Sequence, residues 1–219
     1  MTVTRLFCAV ALLAGTLVAQ PVAVVPFDSL MEDRASADGW VDREEGESEY
    51  PGELTDPATG MTVSWGFDDS LLYVAVETRG KGWFGIGLGT PLMDEANMLV
   101  GFYTDDSVGL YNLVGKGNTH TVAGHADSLG LEWDIDFDDE TGITAFEVCY
   151  PLTWRGEGAP AAFAGNEVLA GSAIPGLAPG DLFDFILAQN TKTPSLMAKH
   201  THRSVLKFRL EGVPAPPGE

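Results

Sequence analysis

GWFGIGLGTPLMDEANMLVGF, residues 82–102, decides the fold class. Trp83 and Phe84 stand among Gly82, Gly85, Gly87 and Gly89, so large rings alternate with positions that have no side chain. In an extended chain this spacing puts Phe84, Ile86 and Leu88 on one face and Trp83, Gly85 and Gly87 on the other. A face of glycines lets a partner sheet or a flat ligand approach the backbone. Thr90-Pro91 makes a turn, Met93 follows it, and a second apolar strand runs from Asn97 to Tyr103. A methionine in that place either fills a packing gap or offers a soft thioether to a metal.

The same short-strand rhythm continues on both sides. MTVSWGF and LLYVAVET flank a hairpin turn at Asp68-Asp69-Ser70, and Arg79-Gly80-Lys81 turns the chain into the glycine-rich stretch. Downstream come VGLYNLV, then ITAFEVCYPL with Phe146, Val148 and Tyr150 on one face, then LFDFILAQ. The last strand, SVLKFRL, alternates Val205, Lys207 and Arg209 with Leu206, Phe208 and Leu210. Residues 26–49 read as an acidic edge segment that packs Trp40 and Tyr50 on the body. The polar run with His120 and His125 and the acidic run from Glu132 to Gly142 read as loops. Residues 155–180 are rich in Gly, Ala and Pro, with 161–163 and 167–170 too short for convincing helices. Roughly eight to eleven short strands without a helical period make an all-β sandwich of one domain, residues 28–212. The tail, 213–219, is disordered by composition.

Composition narrows the setting. The N-terminus carries Arg5, an apolar run from Leu6 to Ala19 and small residues at its end, the pattern of a signal peptide over residues 1–19. No later apolar run is long enough to span a bilayer, so a secreted or periplasmic protein without membrane insertion after cleavage is expected. Cys8 falls within that signal, leaving Cys149 without a disulfide partner; its strand context predicts a buried, inert thiol. Twelve Lys and Arg face 32 Asp and Glu, a formal charge of -20. Such a surface repels nucleic acid and anionic membrane, keeps the chain soluble and favours a basic partner.

Several chemistries lack their motifs. The chain has no Cys-x-x-Cys-His for covalent haem, no Gly-x-Ser-x-Gly, no His-Glu-x-x-His and no phosphate-binding glycine loop. In DIDFDDETG the carboxylates alternate, which suggests calcium, but an EF-hand loop needs Gly at Asp139 and Glu at Ala145. Carboxylate pairs for glycoside hydrolysis are too plentiful here to point anywhere. Of the four histidines, His200 and His202 stand at the entrance to the last strand. Read alone, the pair suggests an exposed loop or a divalent metal site; combined with Met93 it suggests the one-histidine, one-methionine ligation of haem iron in electron-transfer cytochromes.

GWFGIGLG, PLMDEANMLVGF, TGITAFEVCYPL and FILAQNTKTPSLMAKHTHRSV together resemble the successive signatures of the DOMON family, found also in the cytochrome part of cellobiose dehydrogenase. The resemblance runs from about Asp38 to Leu210 and implies an immunoglobulin-like two-sheet β-sandwich. Some members of the family bind haem b and others bind sugars. It implies Met93 and His200 as axial ligands, with Arg203 completing a His-Thr-x-Arg pattern. Asn97 stands where many members carry aspartate and Ser204 replaces a common glycine, so His202 is the alternative ligand. Trp83, Phe84, Met98 and Phe102 are expected to form the flat apolar slot that noncovalent haem needs. Two functions follow: an exported single-electron carrier or oxidoreductase subunit serving a redox partner protein, not itself an enzyme, or a haem-free carbohydrate- or ligand-binding module using Trp40, Trp65 and Trp83.

Overall fold

The computed structural model describes residues 22–44 and 47–212; the expected signal peptide and the 213–219 tail lie outside them. In chain order the strands are β1 (Val22–Val25), β2 (Arg43–Glu44), β3 (Glu47–Ser48), β4 (Gly52–Thr55), β5 (Thr62–Phe67), β6 (Leu71–Arg79) and β7 (Gly82–Leu88). They continue with β8 (Asn97–Tyr103), β9 (Val108–Lys116), β10 (Thr119–His125), β11 (Glu132–Asp138), β12 (Ile143–Pro151), β13 (Leu182–Asn190) and β14 (His202–Leu210). The helices are single turns, α1 (Met31–Arg34), α2 (Ala126–Leu129) and α3 (Ala161–Ala164), with a 3-10 turn at Leu169–Gly171.

Two sheets carry the architecture, an all-β sandwich. One is seven-stranded in the order β1-β14-β13-β7-β8-β9-β10, and the other five-stranded in the order β11-β12-β6-β5-β4. Neighbours are antiparallel except β1 beside β14. Local chemistry sets the turns: the Asp68 carboxylate accepts from Ser70 N at 2.8 Å and Leu71 N at 2.7 Å, closing the β5–β6 hairpin. Between the sheets Phe84 stacks on Phe146 at 5.4 Å, and Trp65 lies 4.4 Å from Phe208. A closed polar trio joins the sheets inside this apolar layer. Asn97 donates to the Tyr150 hydroxyl at 2.8 Å, and Asn112 donates to Asn97 Oδ1 at 2.6 Å and to the Met98 carbonyl at 2.9 Å. Asn97 is therefore a buried strut between sheets.

Several local expectations change. The supposed His120 loop is β10, an edge strand, and the acidic run is β11, the opposite sheet's edge, with Ile135 turned into the core. Charged side chains on an exposed edge discourage pairing with another chain, which is why β11 reads like a loop. Residues 161–164 do make a helical turn. Val22–Val25 pairs with β14, so the sandwich begins upstream of residue 28. Tyr50 is buried, but the Trp40 side chain is exposed. Phe146, Val148 and Tyr150 share the core face, while Cys149 points to the opposite cluster around Met31 and Tyr73, where burial pushes its thiol up to about 12.

Glu147 fastens the N-terminal segment to the outer face of the five-stranded sheet. Its Oε2 accepts from the backbone N–H groups of Asp38, Gly39 and Trp40 at 2.9 to 3.1 Å, and Oε1 accepts from the Tyr50 hydroxyl at 2.7 Å. Burial lifts its carboxyl from 4.5 to about 8 against the pull of those donors. The folded chain thus holds a proton that the unfolded chain has released. Stability is greatest below pH 4.5 for this group and falls as pH rises towards 8, by up to about 1.4 kcal/mol per pH unit. Urea midpoints measured across that range should show the decline, and Glu147→Gln should flatten it; an unchanged slope in the variant would assign the effect elsewhere.

Candidate functional site

Every residue of β7 is buried, including those on the face turned away from the other sheet. In a two-sheet sandwich the outer face ordinarily meets water, so something covers it here. Register places Trp83, Gly85 and Gly87 beside Phe102, Val100 and Met98 of β8 on that face, and beside Asn190, Ala188 and Ile186 of β13. Met98, Leu113 and Ile186 form a separate apolar cluster there, with Met93 and Val100 packed against it. Above this floor lies a cavity of about 760 Å³, roofed by the segments around Met93 and Leu196–His200.

The Met93 wall depends on one close approach. A Cβ on Gly115 would sit 1.5 Å from the Met93 carbonyl oxygen, so only glycine admits this turn over β9. Ala96 N donates to the Met93 carbonyl at 3.1 Å, Glu95 N to the Gly115 carbonyl at 3.0 Å, and Gly115 N to the Ala96 carbonyl at 3.0 Å. Glu95 takes a φ of 60°, the strained residue of the turn. The opposite wall is held by β13: the Asn190 side chain donates to the Lys199 carbonyl at 2.7 Å, and Thr201 N donates to the Gln189 carbonyl at 2.7 Å.

Of the sequence-derived site residues, Met93, His200, Trp83 and Met98 line the cavity together. Phe84 does not: it is adjacent to Trp83 in a strand, so the pleat turns it into the inter-sheet core. Phe102 shares Trp83's face by register but stacks on Tyr111 at 6.4 Å, outside the cavity lining. His202 stands opposite Gln189, on the face that Phe84 shares, whereas Arg203 falls on the cavity face. Trp65 is in the core, its indole donating to the Val24 carbonyl at 2.9 Å, and Trp40 is not part of the cavity. Among the described residues no group of three or more His, Cys, Asp or Glu is arranged to hold a metal ion.

The sequence reading missed His120, which lines the cavity from β10 opposite Gly115. No local motif marks it; only the β9–β10 pairing brings it there. Burial lowers the pKa of His120, and burial together with Arg203 and Lys199 lowers that of His200. Both shifts favour the neutral imidazole, the form that keeps a free nitrogen lone pair. A neutral imidazole and a thioether facing an apolar floor suit a soft or borderline metal centre brought in by a flat ligand.

Gly115→Ala should force the Met93 turn off β9 and lower the melting temperature by several degrees, the scale of a backbone clash worth about 2 kcal/mol. Thermal melts with and without a cavity ligand check this; an unchanged melt and unchanged binding would show that the turn moves at no cost. No protein-family model matches the chain, and no curated sequence matches it. Solved structures do resemble it. The cytochrome b domain of pyranose dehydrogenase from Coprinopsis cinerea is 15% identical over 80% of this chain and 88% of that one, with a TM-score of 0.52. The cytochrome domain of Myriococcum thermophilum cellobiose dehydrogenase is 16% identical over 82% and 91%, with a TM-score of 0.48. A family 9 carbohydrate binding module from Caldicellulosiruptor kristjanssonii, in complex with cellotriose, is 13% identical over 91% and 100%, with a TM-score of 0.41. The first of these likenesses shows the fold: the chain shares the two-sheet sandwich of that cytochrome b domain.

Proposed function

We propose that the chain binds haem b noncovalently in the outer cavity of the seven-stranded sheet and carries single electrons, without bond-making chemistry of its own. The observation that carries this reading is that Met93 and His200, remote in sequence, line one cavity over an apolar, glycine-bearing floor. The residues fit the group in three respects. The volume is within the range of cofactor sites. A Cβ on Gly85 would approach the Leu99 carbonyl to 2.6 Å and one on Gly87 would meet Ile186 and Met98 at 3.3 Å, so the floor is kept flat. The Trp83 indole N–H is buried without a partner.

Met93 and His200 would hold the iron in this proposal, with His202 the alternative, placed by the register on the other face of β14. When bound, haem supplies the one-electron couple of its iron, and two protein ligands leave it no open position for substrate. Trp83, Met98, Val100, Leu113 and Ile186, which line the cavity, would exclude water from the bound group. The acidic surface complements a redox partner protein with a basic docking face. Export to the periplasm or medium rests on the N-terminal sequence; among the described residues no helix is long and apolar enough to cross a membrane. The haem-free carbohydrate reading has less support, because Trp83 alone of the three candidate tryptophans lines the cavity and is only 8% exposed.

Absorption spectra of the protein expressed with supplied haem test the proposal. The wild type should show a sharp Soret band and split low-spin bands on reduction. Met93→Ala and His200→Ala should each lose the low-spin signature, with haem affinity falling tenfold or more, while His202→Ala and His120→Ala keep it. Loss in His202→Ala alone would move the ligand, and a colourless protein that takes up no added haem would overturn the proposal.

A further inference from the structure

The cavity reverses the charge of the chain around it. Asp and Glu outnumber Lys and Arg by 32 to 12 overall, yet its lining carries Lys199 and Arg203 against a single carboxylate, Asp94. That carboxylate is already engaged, Asp94 Oδ1 accepting from Gly117 N at 2.5 Å. Four cations elsewhere pair with acids, Arg34 with Asp28, Arg43 with Glu53 and Glu77, Lys81 with Asp105, and Lys207 with Asp184, while among the described residues others such as Arg79 and Lys116 stand alone on the acidic exterior. Neither Lys199 nor Arg203 is in an ion pair among the described residues. The Arg203 guanidinium donates to the Pro91 carbonyl, which tethers the side chain across the mouth and leaves most of its five N–H donors unused.

A third donor belongs to the same wall. Trp83 is 8% exposed, and its Nε1–H has no acceptor, although burying an unmet donor is unfavourable. Asn190 is Trp83's register partner and holds the Lys199 carbonyl, so the lysine is anchored beside the tryptophan. Leu92 and Met197, 61% and 81% exposed, also border the cavity, giving its rim an apolar part beside the basic one. Two unpaired cations, one orphaned N–H and an apolar floor together describe a receptor for a flat apolar body that carries carboxylates at one edge.

We propose that Arg203, Lys199 and the Trp83 indole form a carboxylate-binding subsite that orients the cavity's occupant by its acidic edge. This rests on the haem reading and goes beyond it, assigning roles to three residues that are not iron ligands. The subsite recognises the carboxylate group, and a free anion is the other source of that chemistry.

Haemin and haemin dimethyl ester, titrated into the whole chain in one detergent buffer and followed by the Soret band, separate the possibilities. Wild type should bind haemin at least tenfold more tightly than its diester. Lys199→Gln with Arg203→Gln should shrink that preference to under threefold by weakening haemin alone, and Trp83→Phe, which keeps a ring but drops the N–H, should shrink it in part. Acetate at high concentration should compete no better than chloride; a competing free acetate with equal binding of both porphyrins would mean a simple anion site and overturn the proposal. Equal affinity of wild type for both porphyrins overturns the subsite while leaving the haem reading intact. Binding of neither overturns both.

Discussion

Strand β7 must be buried on both faces, and the rest of the molecule is arranged to do it. Its inner face carries Phe84, Ile86 and Leu88 into the layer between sheets, where an ordinary sandwich core covers them. Its outer face carries Trp83 and two glycines, which cannot fill space themselves. The neighbours supply what they lack: Met98 and Val100 from β8, Ile186 and Ala188 from β13. Because those neighbours are low and apolar, the outer face is a floor, and water on it is unfavourable unless loops or a ligand cover it. The Met93 turn and the Leu196–His200 segment cover its two sides and leave a space between.

Position, not flexibility, distinguishes the residues that reach this space. His200 and His202 are two apart, which in a continuous strand would put them on one face. The chain enters β14 at His202, however, and His200 belongs to the preceding segment. Once β14 is paired with β13, alternation sends His202 with Gln189 and Arg203 with Ala188. Met93 is fixed just as firmly, since its carbonyl occupies the place where any side chain at residue 115 would be. Neither wall needs a disulfide; Cys149 is free and lies outside the cavity lining.

Much of this was legible in sequence because period-two patterning survives in the central strands. The alternation around Gly85 and Gly87 is sufficient to tell the core face from the outer, glycine-bearing face. That same alternation also forbids Trp83 and Phe84 from walling one slot, so the pairing of those two residues in a common site fails on the pleat alone. What could not be read locally are the edges. Both β10 and β11 are sheet-edge strands rich in polar or charged residues, and their membership depends on pairing with β9 and β12. His120 is the casualty: its place over Gly115 follows from a register that no short motif encodes.

The electrostatics argue for the same division between scaffold and site. Over the scaffold the chain keeps acids exposed or satisfied: four donors converge on buried Glu147, and Thr59 and Ser204 donate to buried Asp56. In the cavity the order is inverted: cations are left without carboxylates and an indole N–H without an acceptor. Burial, and after it those same cations, lower the pKa of His200. A positive environment that disfavours imidazolium also attracts an acidic group. One pair of side chains has both effects, so the basic mouth and the lowered histidine pKa belong to a single electrostatic arrangement.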